Sequence, residues 1–164
     1  MTAPPETGRT IPVDDPADPR IAGYLDIRER DLVGRQGMFV AEGEVVLRRL
    51  LSGGSRHAVL SVFVAGNRAE RLRLLLAAVP AEVPVYEAAQ PVMDKVAGFP
   101  LHRGILALGR SAPAPAAADL LGRLGPRAVV VVLVATANHD NLGGVFRNAA
   151  AFGVDAVLLD SQCC

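Results

Sequence analysis

The sequence predicts an α/β fold: a small layered α/β domain, then the first βαβ unit of a second, parallel sheet. Three observations predict it. Between Met38 and Arg110, short apolar runs rich in β-branched residues alternate with segments of helical period. Ala128–Ala135 is apolar without polar alternation, as a central parallel strand covered on both faces reads. A polar, glycine-containing turn, a helical pattern and a second apolar run, Ala156–Leu159, follow it.

Taken in order, residues 1–31 read as a mostly flexible tail with clustered prolines and acids, closing on a short helix over Ile21–Arg30 that Gly34 and Gly37 end. Residues 32–110 form the first domain. Met38–Ala41 is a strand. Glu44–Leu51 is a helix with Val46, Leu47, Leu50 and Leu51 inward and Arg48 and Arg49 opposite. Ser52, Gly53 and Gly54 stop it. Ala58–Ala65 is an apolar strand, and Asn67 is positioned to cap a helix to about Ala78 that buries Leu72, Leu75, Leu76 and Val79. Val83–Glu87 is a strand. Gln90 and Pro91 open a third helix, proline being favoured in a helix's first turn, and Gly98 closes it. Gly104–Leu108 is the fourth strand. Residues 111–127 read as a linker, an Ala/Pro spacer with a short helix at Asp119–Leu124. Residues 128–164 begin a second domain: the strand Ala128–Ala135, a turn Thr136–Asn141, a helix Leu142–Phe152, then the strand Ala156–Leu159. Two strands and one helix cannot cover both faces of so apolar a sheet, so this domain is expected to be completed by chain beyond it or by a partner.

Composition narrows the classes. With 164 residues, 51% of them apolar, the chain buries a real core without staples, which excludes disorder, collagen and coiled coil as its main state. No run approaches the roughly 18 apolar residues of a membrane span. Met1–Thr10 lacks the apolar centre of a secretory signal. Cys163 and Cys164 are adjacent and offer neither a disulfide framework nor metal spacing, which suits a reducing cytoplasm. The zero net charge is uneven: residues 32–110 hold ten basic and six acidic side chains, a balance of +4 that points to an acidic partner. All basic residues but Lys95 are arginine, a bias that phosphate recognition or G+C-rich coding would equally produce.

The segment Ala137–Leu159 carries the chemistry. A strand, a polar turn and a helix start form the end of an α/β sheet where ligands bind, and exposed N–H groups there attract anions. Asn141 either caps the helix or offers its amide to a ligand. Arg147 lies opposite Val145, Ala149 and Phe152, either as a solvated charge or as a ligand contact. Six positions are roughly 9 Å of helix axis, within reach for an arginine to converge with Asn141. A dinucleotide site with Asp160 as its acid lacks the G-x-G-x-x-G pattern. His139 adjoins the turn. His57 and His102 fit structural roles better than ligand contact.

The pattern N-x-G-x-x-x-R-x-A-x-x-F-G, here Asn141, Gly143, Arg147, Ala149, Phe152 and Gly153, resembles the first motif of the SpoU (TrmH-like) RNA ribose 2′-O-methyltransferases. F-V-A-E-G-E-V-V-L-R-R-L-L at Phe39–Leu51 resembles the start of their substrate-binding domain, and V-Y-E-A-A-Q-P-V-M-D-K-V-A-G with H-R-G-I-L-A-L, within Val85–Leu108, resembles its close. The resemblance implies an RNA-binding domain at 32–110 and, from residue 128, the start of a SPOUT domain, a knotted parallel sheet that holds S-adenosylmethionine. It implies methyl transfer to a ribose 2′-hydroxyl of tRNA or rRNA by a cytoplasmic homodimer without a metal, with Arg147 catalytic and Asn141 orienting the site. Arg48, Arg49 and Arg103 are the expected RNA contacts, with Arg68, Arg71 and Arg73 as further helix-face cations. The family's later motifs, with most of the donor pocket, would follow Cys164, so the 164 residues alone are expected to be an inactive amino-terminal fragment. The alternatives are a non-catalytic RNA-binding module of the same fold and an unrelated nucleotide-binding α/β domain.

Overall fold

The computed structural model describes residues 10–25 and 37–163, which divide into two compact units, Met1–Ala112 and Pro113–Cys164. The first unit is built on a five-stranded sheet: β1 (Thr10–Pro12), β2 (Met38–Glu42), β3 (Ala58–Ala65), β4 (Val85–Ala88) and β5 (Ile105–Arg110), in the spatial order β1-β4-β3-β5-β2. β4 is parallel to β1 and β3, and β5 is antiparallel to β3 and β2. β3 is apolar apart from Ser61 because its second half, Val62–Ala65, is buried on both faces. Its Val62 and Val64 enter one core with Leu47 and Leu50 of α1 (Glu44–Leu50); past α2 (Gly66–Ala69), α3 (Arg73–Ala77) adds Leu75 and Leu76. Its Phe63 and Ala65 enter the other core, with Tyr24 and with Met93 and Val96 of α4 (Gln90–Ala97).

Several expectations change in detail. Part of the predicted tail is folded: β1 extends the sheet at β4, and a 3-10 turn over Pro19–Tyr24 buries Ile21 and Tyr24 completely. The anchors Val13, Ile21 and Tyr24 have no helical or strand period, so only the tertiary core organises them. The expected helix Ile21–Arg30 is this 3-10 turn as far as Tyr24; residues 26–36, with Gly34, lie outside the described residues. The expected helix from Asn67 to Ala78 is two short ones. Leu72, between them, donates its N–H to the carbonyls of both Arg68 and Ala69, which tightens the chain. Asn67 sits inside α2, whose N-cap is Ala65, so it caps nothing. Val46 is half-exposed rather than inward: Leu47 and Leu50 are the buried residues of α1, and Leu51 packs beside them.

The Tyr24 hydroxyl has a second task. The register of β3 against β5 shifts between Val59 and Ser61, which disturbs the ladder beside Leu108. The Leu108 N–H donates to the Tyr24 hydroxyl at 3.2 Å, and the same oxygen lies 2.7 Å from Ser61 Oγ. Every fully buried side-chain polar atom among the described residues has a hydrogen-bond partner.

In the second unit, the stretch read as a linker carries α5 (Ala117–Leu121). β6 (Val130–Leu133) pairs in parallel with β7 (Ala156–Leu159), and α6 (His139–Ala151) connects them. Ala149 of α6 and Ala156 of β7 are buried, but Val132 and Val134 are more than half exposed. Phe152, expected on the inward stripe, is 84% exposed at the C-cap, just past the end of α6 at Ala151. No described helix is long and apolar enough to cross a membrane.

Candidate functional site

In the second unit, two carboxylates brace the parallel pair. Asp155 accepts the Val129 N–H at 2.8 Å at the end where β6 begins. At the other end, both oxygens of Asp160 accept the Ala135 N–H, at 3.1 and 3.2 Å, and Oδ1 also accepts the Gln162 N–H at 3.0 Å. These bonds, first among them the one from Ala135, lower the Asp160 pKa. Ala135 is the one non-glycine residue with positive φ among those described, at 52°. Asp160 therefore fixes the turn leaving β6, its carboxylate engaged by the N–H groups of Ala135 and Gln162. The Thr136 N–H donates to Cys163 Sγ at 3.4 Å in the same turn.

That turn delivers the chain to α6, which starts at His139, three residues before the expected position. Asn138 is the cap: its Oδ1 accepts the Asn141 N–H at 2.9 Å. Asn141 thus sits in the first turn, exposed, and its side-chain amide makes no hydrogen bond among the described residues. Arg147 is also exposed. Helical side chains lean toward the helix N-terminus, and the Arg147 guanidinium lies over Gly143 and Gly144. A Cβ at Gly143 would stand 3.3 Å from one terminal nitrogen of Arg147, and one at Gly144 would stand 4.0 Å from the other. The two glycines leave room for the guanidinium to lie along the helix toward Asn141. His139 is exposed in the same turn.

The first unit holds a separate cleft of about 680 Å³, lined by Glu42, Glu44, Arg68, Arg71, His102 and Arg103 among others. Its loop is rigidly placed. Asp94 Oδ1 accepts the Leu101 N–H at 2.8 Å and the Gln90 amide at 2.7 Å, and that amide also donates to the Leu101 carbonyl at 3.0 Å. Two glycines make room for the arginine stems. Gly43, at φ +96°, has an absent Cβ position only 2.8 Å from Arg103 Cδ; Gly104, at φ +62°, has one 2.9 Å from Arg68 Cγ. Arg71 lies 3.7 Å from a Glu44 oxygen and Arg103 lies 3.9 Å from one of Glu42. Glu44 also accepts from Arg48 at 2.8 Å, and that bond is the main cause of its lowered pKa.

Of the expected RNA contacts, Arg103 lies in this cleft and Arg48 borders it through Glu44. Arg49 lies elsewhere, 3.7 Å from the Cβ position of Gly54. Arg73 pairs with Glu70 outside the cleft lining. Arg68 and Arg71 were legible only as helix-face cations, because their partner Arg103 is more than 30 residues away in sequence. His57 is structural: its Nδ1 accepts the Ala112 N–H at 3.2 Å and its ring meets Phe39 edge-on. Among the described residues, no cluster of three or more His, Cys, Asp or Glu side chains is arranged to hold a metal ion.

No protein-family model matches the chain. Two mycobacterial proteins, from Mycobacterium bovis and Mycobacterium tuberculosis, each named an uncharacterized tRNA/rRNA methyltransferase, are 40% identical to it over 155 residues, which is 92% of this chain and 51% of theirs. The 23S rRNA (guanosine-2′-O-)-methyltransferase RlmB of Acinetobacter baylyi is 33% identical over 105 residues, 62% of this chain and 42% of its own. Among solved structures, an RNA 2′-O ribose methyltransferase superposes with a TM-score of 0.67 at 26% identity, over 92% of this chain and 56% of that one. The SpoU methyltransferase AviRb of Streptomyces viridochromogenes, in complex with AdoMet, gives a TM-score of 0.68 at 16% identity, over 90% of this chain and 53% of its own. The chain spans about half the length of the curated relatives it matches.

Proposed function

We propose, from the similarity of this chain to tRNA/rRNA methyltransferases and to an RNA 2′-O ribose methyltransferase, that it takes part in methyl transfer from S-adenosylmethionine to a ribose 2′-hydroxyl of tRNA or rRNA. The observation that carries the reading is the Arg147 guanidinium lying over Gly143 and Gly144, on the helix whose first turn holds Asn141. In this reading residues 32–110 recognise the RNA, residues 111–127 link, and residues 128–164 supply the catalytic helix. The donor brings an electrophilic methyl group; this chain's own residues act on the RNA. In-line attack by the 2′-oxygen requires the nucleotide to be held in one pose, and such positioning removes a large part of the barrier. Asn141 is free to orient the ribose through its amide. A guanidinium donates hydrogen bonds and accepts none, so Arg147 is assigned to hold a phosphate and to stabilise charge developing on the attacking oxygen.

The reading extends to a homodimer in the cytoplasm. Phe146 and Phe152, both exposed at α6, are apolar surface of the kind a second copy covers.

The test is transfer of radiolabelled methyl to ribosomal and transfer RNA by the protein that carries this chain, with Arg147 intact and with Arg147→Ala. The variant should lose at least about 100-fold in rate, the scale of a lost transition-state donor. Its melting should stay within about 0.5 kcal/mol of wild type, since the side chain is exposed. Full rate in the variant refutes the role of Arg147. No transfer by either refutes the methyltransferase reading.

A further inference from the structure

We propose that the cleft at Arg68, Arg71 and Arg103 seats the RNA backbone on the first unit, with Glu42 and Glu44 as internal counter-ions that phosphates replace. The inference rests on the RNA-methyltransferase reading and adds where that RNA is held.

The three arginines come from three stretches of chain: α2, the link before α3, and the loop before β5. They are brought together by the fold, not by one helix face. Arg103 and Arg68 have stems seated where Gly43 and Gly104 lack a side chain, and the loop that carries Arg103 is further fixed by Asp94 and Gln90. Arg68 and Arg103 are therefore placed before any ligand arrives, which lowers the ordering cost of binding.

They are also under-used. Arg71 and Arg103 stand 3.7 and 3.9 Å from their carboxylates, longer than a charge-assisted hydrogen bond of about 2.8 Å. By contrast, Arg20 is held by both oxygens of Asp18, and Arg48 is bonded to Glu44 at 2.8 Å. A guanidinium has five donors in a planar fork that matches phosphate, so Arg71 and Arg103 keep donors for a ligand. Exposed ion pairs of this kind contribute little, and a phosphate is free to replace the carboxylate. The side chains of Val45, 80% exposed, and Val46 line the same cleft and give it an apolar ledge. That mixture suits a sugar–phosphate chain better than a bare inorganic anion.

The test titrates a labelled RNA stem-loop with the 164-residue chain at several potassium chloride concentrations, with inorganic pyrophosphate as a competing anion. Wild type should bind at low salt, with log K falling linearly against log salt. Arg71→Ala and Arg103→Ala should each weaken binding about tenfold at moderate salt and reduce the salt slope by about one. Arg110→Ala, at the opposite end of β5, should change neither. Glu42→Gln and Glu44→Gln should strengthen binding several-fold, because they remove the competing carboxylates. Pyrophosphate should not displace the RNA at equal phosphate concentration; displacement would overturn the seat as a backbone site and make it an anion site. Wild-type affinity and slope in Arg71→Ala and Arg103→Ala would overturn the seat while leaving RNA binding standing. Absence of binding by wild type at low salt would overturn the RNA reading of this unit as well. Both arginines are more than 60% exposed, so the variants fold.

Discussion

Replacing Tyr24 with Phe isolates one oxygen atom. The ring stays, with its tilted contact to Phe63 at 5.4 Å between centroids, and the packing around it is unchanged. What is lost is the hydroxyl shared by Ser61 Oγ and the Leu108 N–H. Ser61 is 6% exposed and Leu108 lies in β5, so no solvent replaces the lost partner at the first and a strand irregularity denies a ladder partner at the second. A buried polar group left unpaired costs about 1–3 kcal/mol. The serine hydroxyl can rotate to another acceptor, which places the sum near the lower part of two such losses, about 2 kcal/mol. For a unit of this size that is a fall of about 10 °C in Tm. The protein has no tryptophan and two tyrosines, Tyr24 and Tyr86, so tyrosine fluorescence follows the first unit alone, and Tyr86 still reports in the variant. Tyr24→Phe with Ser61→Ala should cost less than the sum of the single changes, because the serine is no longer orphaned. A melting point within about 2 °C of wild type in Tyr24→Phe would refute the claim that this hydroxyl repairs the sheet irregularity.

The same residue fixes a pH dependence. Burial, more than any other influence, holds the Tyr24 phenol protonated far above its ordinary range. A group whose pKa is raised on folding stabilises the native state in full below its unfolded pKa, about 10 for tyrosine. The contribution is lost as pH rises from there toward the native value. Wild type should therefore lose stability above about pH 10, and Tyr24→Phe should lose less over the same range.

Two further predictions concern the two sites. Asp160→Ala should remove the protection of the Ala135 amide against hydrogen exchange, and in wild type that protection should decline as pH falls below about 4, because the lowered carboxylate pKa makes its contribution one that is present above the unfolded value of about 3.9 and lost in acid; equal protection in the variant at neutral pH counts against Asp160 as the brace of the turn. Gly43→Ala forces a side chain at φ +96° and a Cβ 2.8 Å from Arg103 Cδ, so it should destabilise the first unit by about 1–3 kcal/mol and weaken RNA binding beyond the effect of Arg103→Ala alone; thermal melts and RNA titration check both halves.

The sheet and its helices were legible where one local rule dominates. β3 announces itself by an apolar run that only double-sided burial explains, and α4 by a proline in its first turn and a glycine just past its end. Elements that depend on distant partners were not legible. Thr10–Pro12 is too short for a period and becomes a strand only because β4 offers a free edge. The run Asn138, His139, Asp140, Asn141 holds three cap-forming residues within four positions, so sequence alone leaves the first turn of α6 ambiguous; the bond from Asn141 N–H to Asn138 decides it. Fixing the cap at Asn138 is what frees the Asn141 amide.

The arginines show why the sites divide as they do between sequence and structure. Arg147 and its glycines lie within five residues, so their relation is readable from helical spacing. Arg103 and Gly43 are sixty residues apart, and Arg68 and Gly104 thirty-six, yet the physical relation is the same: an arginine stem or head occupies the volume that a glycine leaves empty. Arg49 over Gly54 shows that proximity to glycine is not enough, since 3.7 Å is ordinary contact and Gly54 would accept a side chain there. The discriminating feature is close approach, below about 3.4 Å, where a methyl group would push the arginine out of place. Arg68, Arg103 and Arg147 meet that condition, and they are the arginines of the proposed RNA seat and of the proposed site on α6. Arg71, paired among the described residues with Glu44 at 3.7 Å, should be the cation whose replacement by lysine is best tolerated.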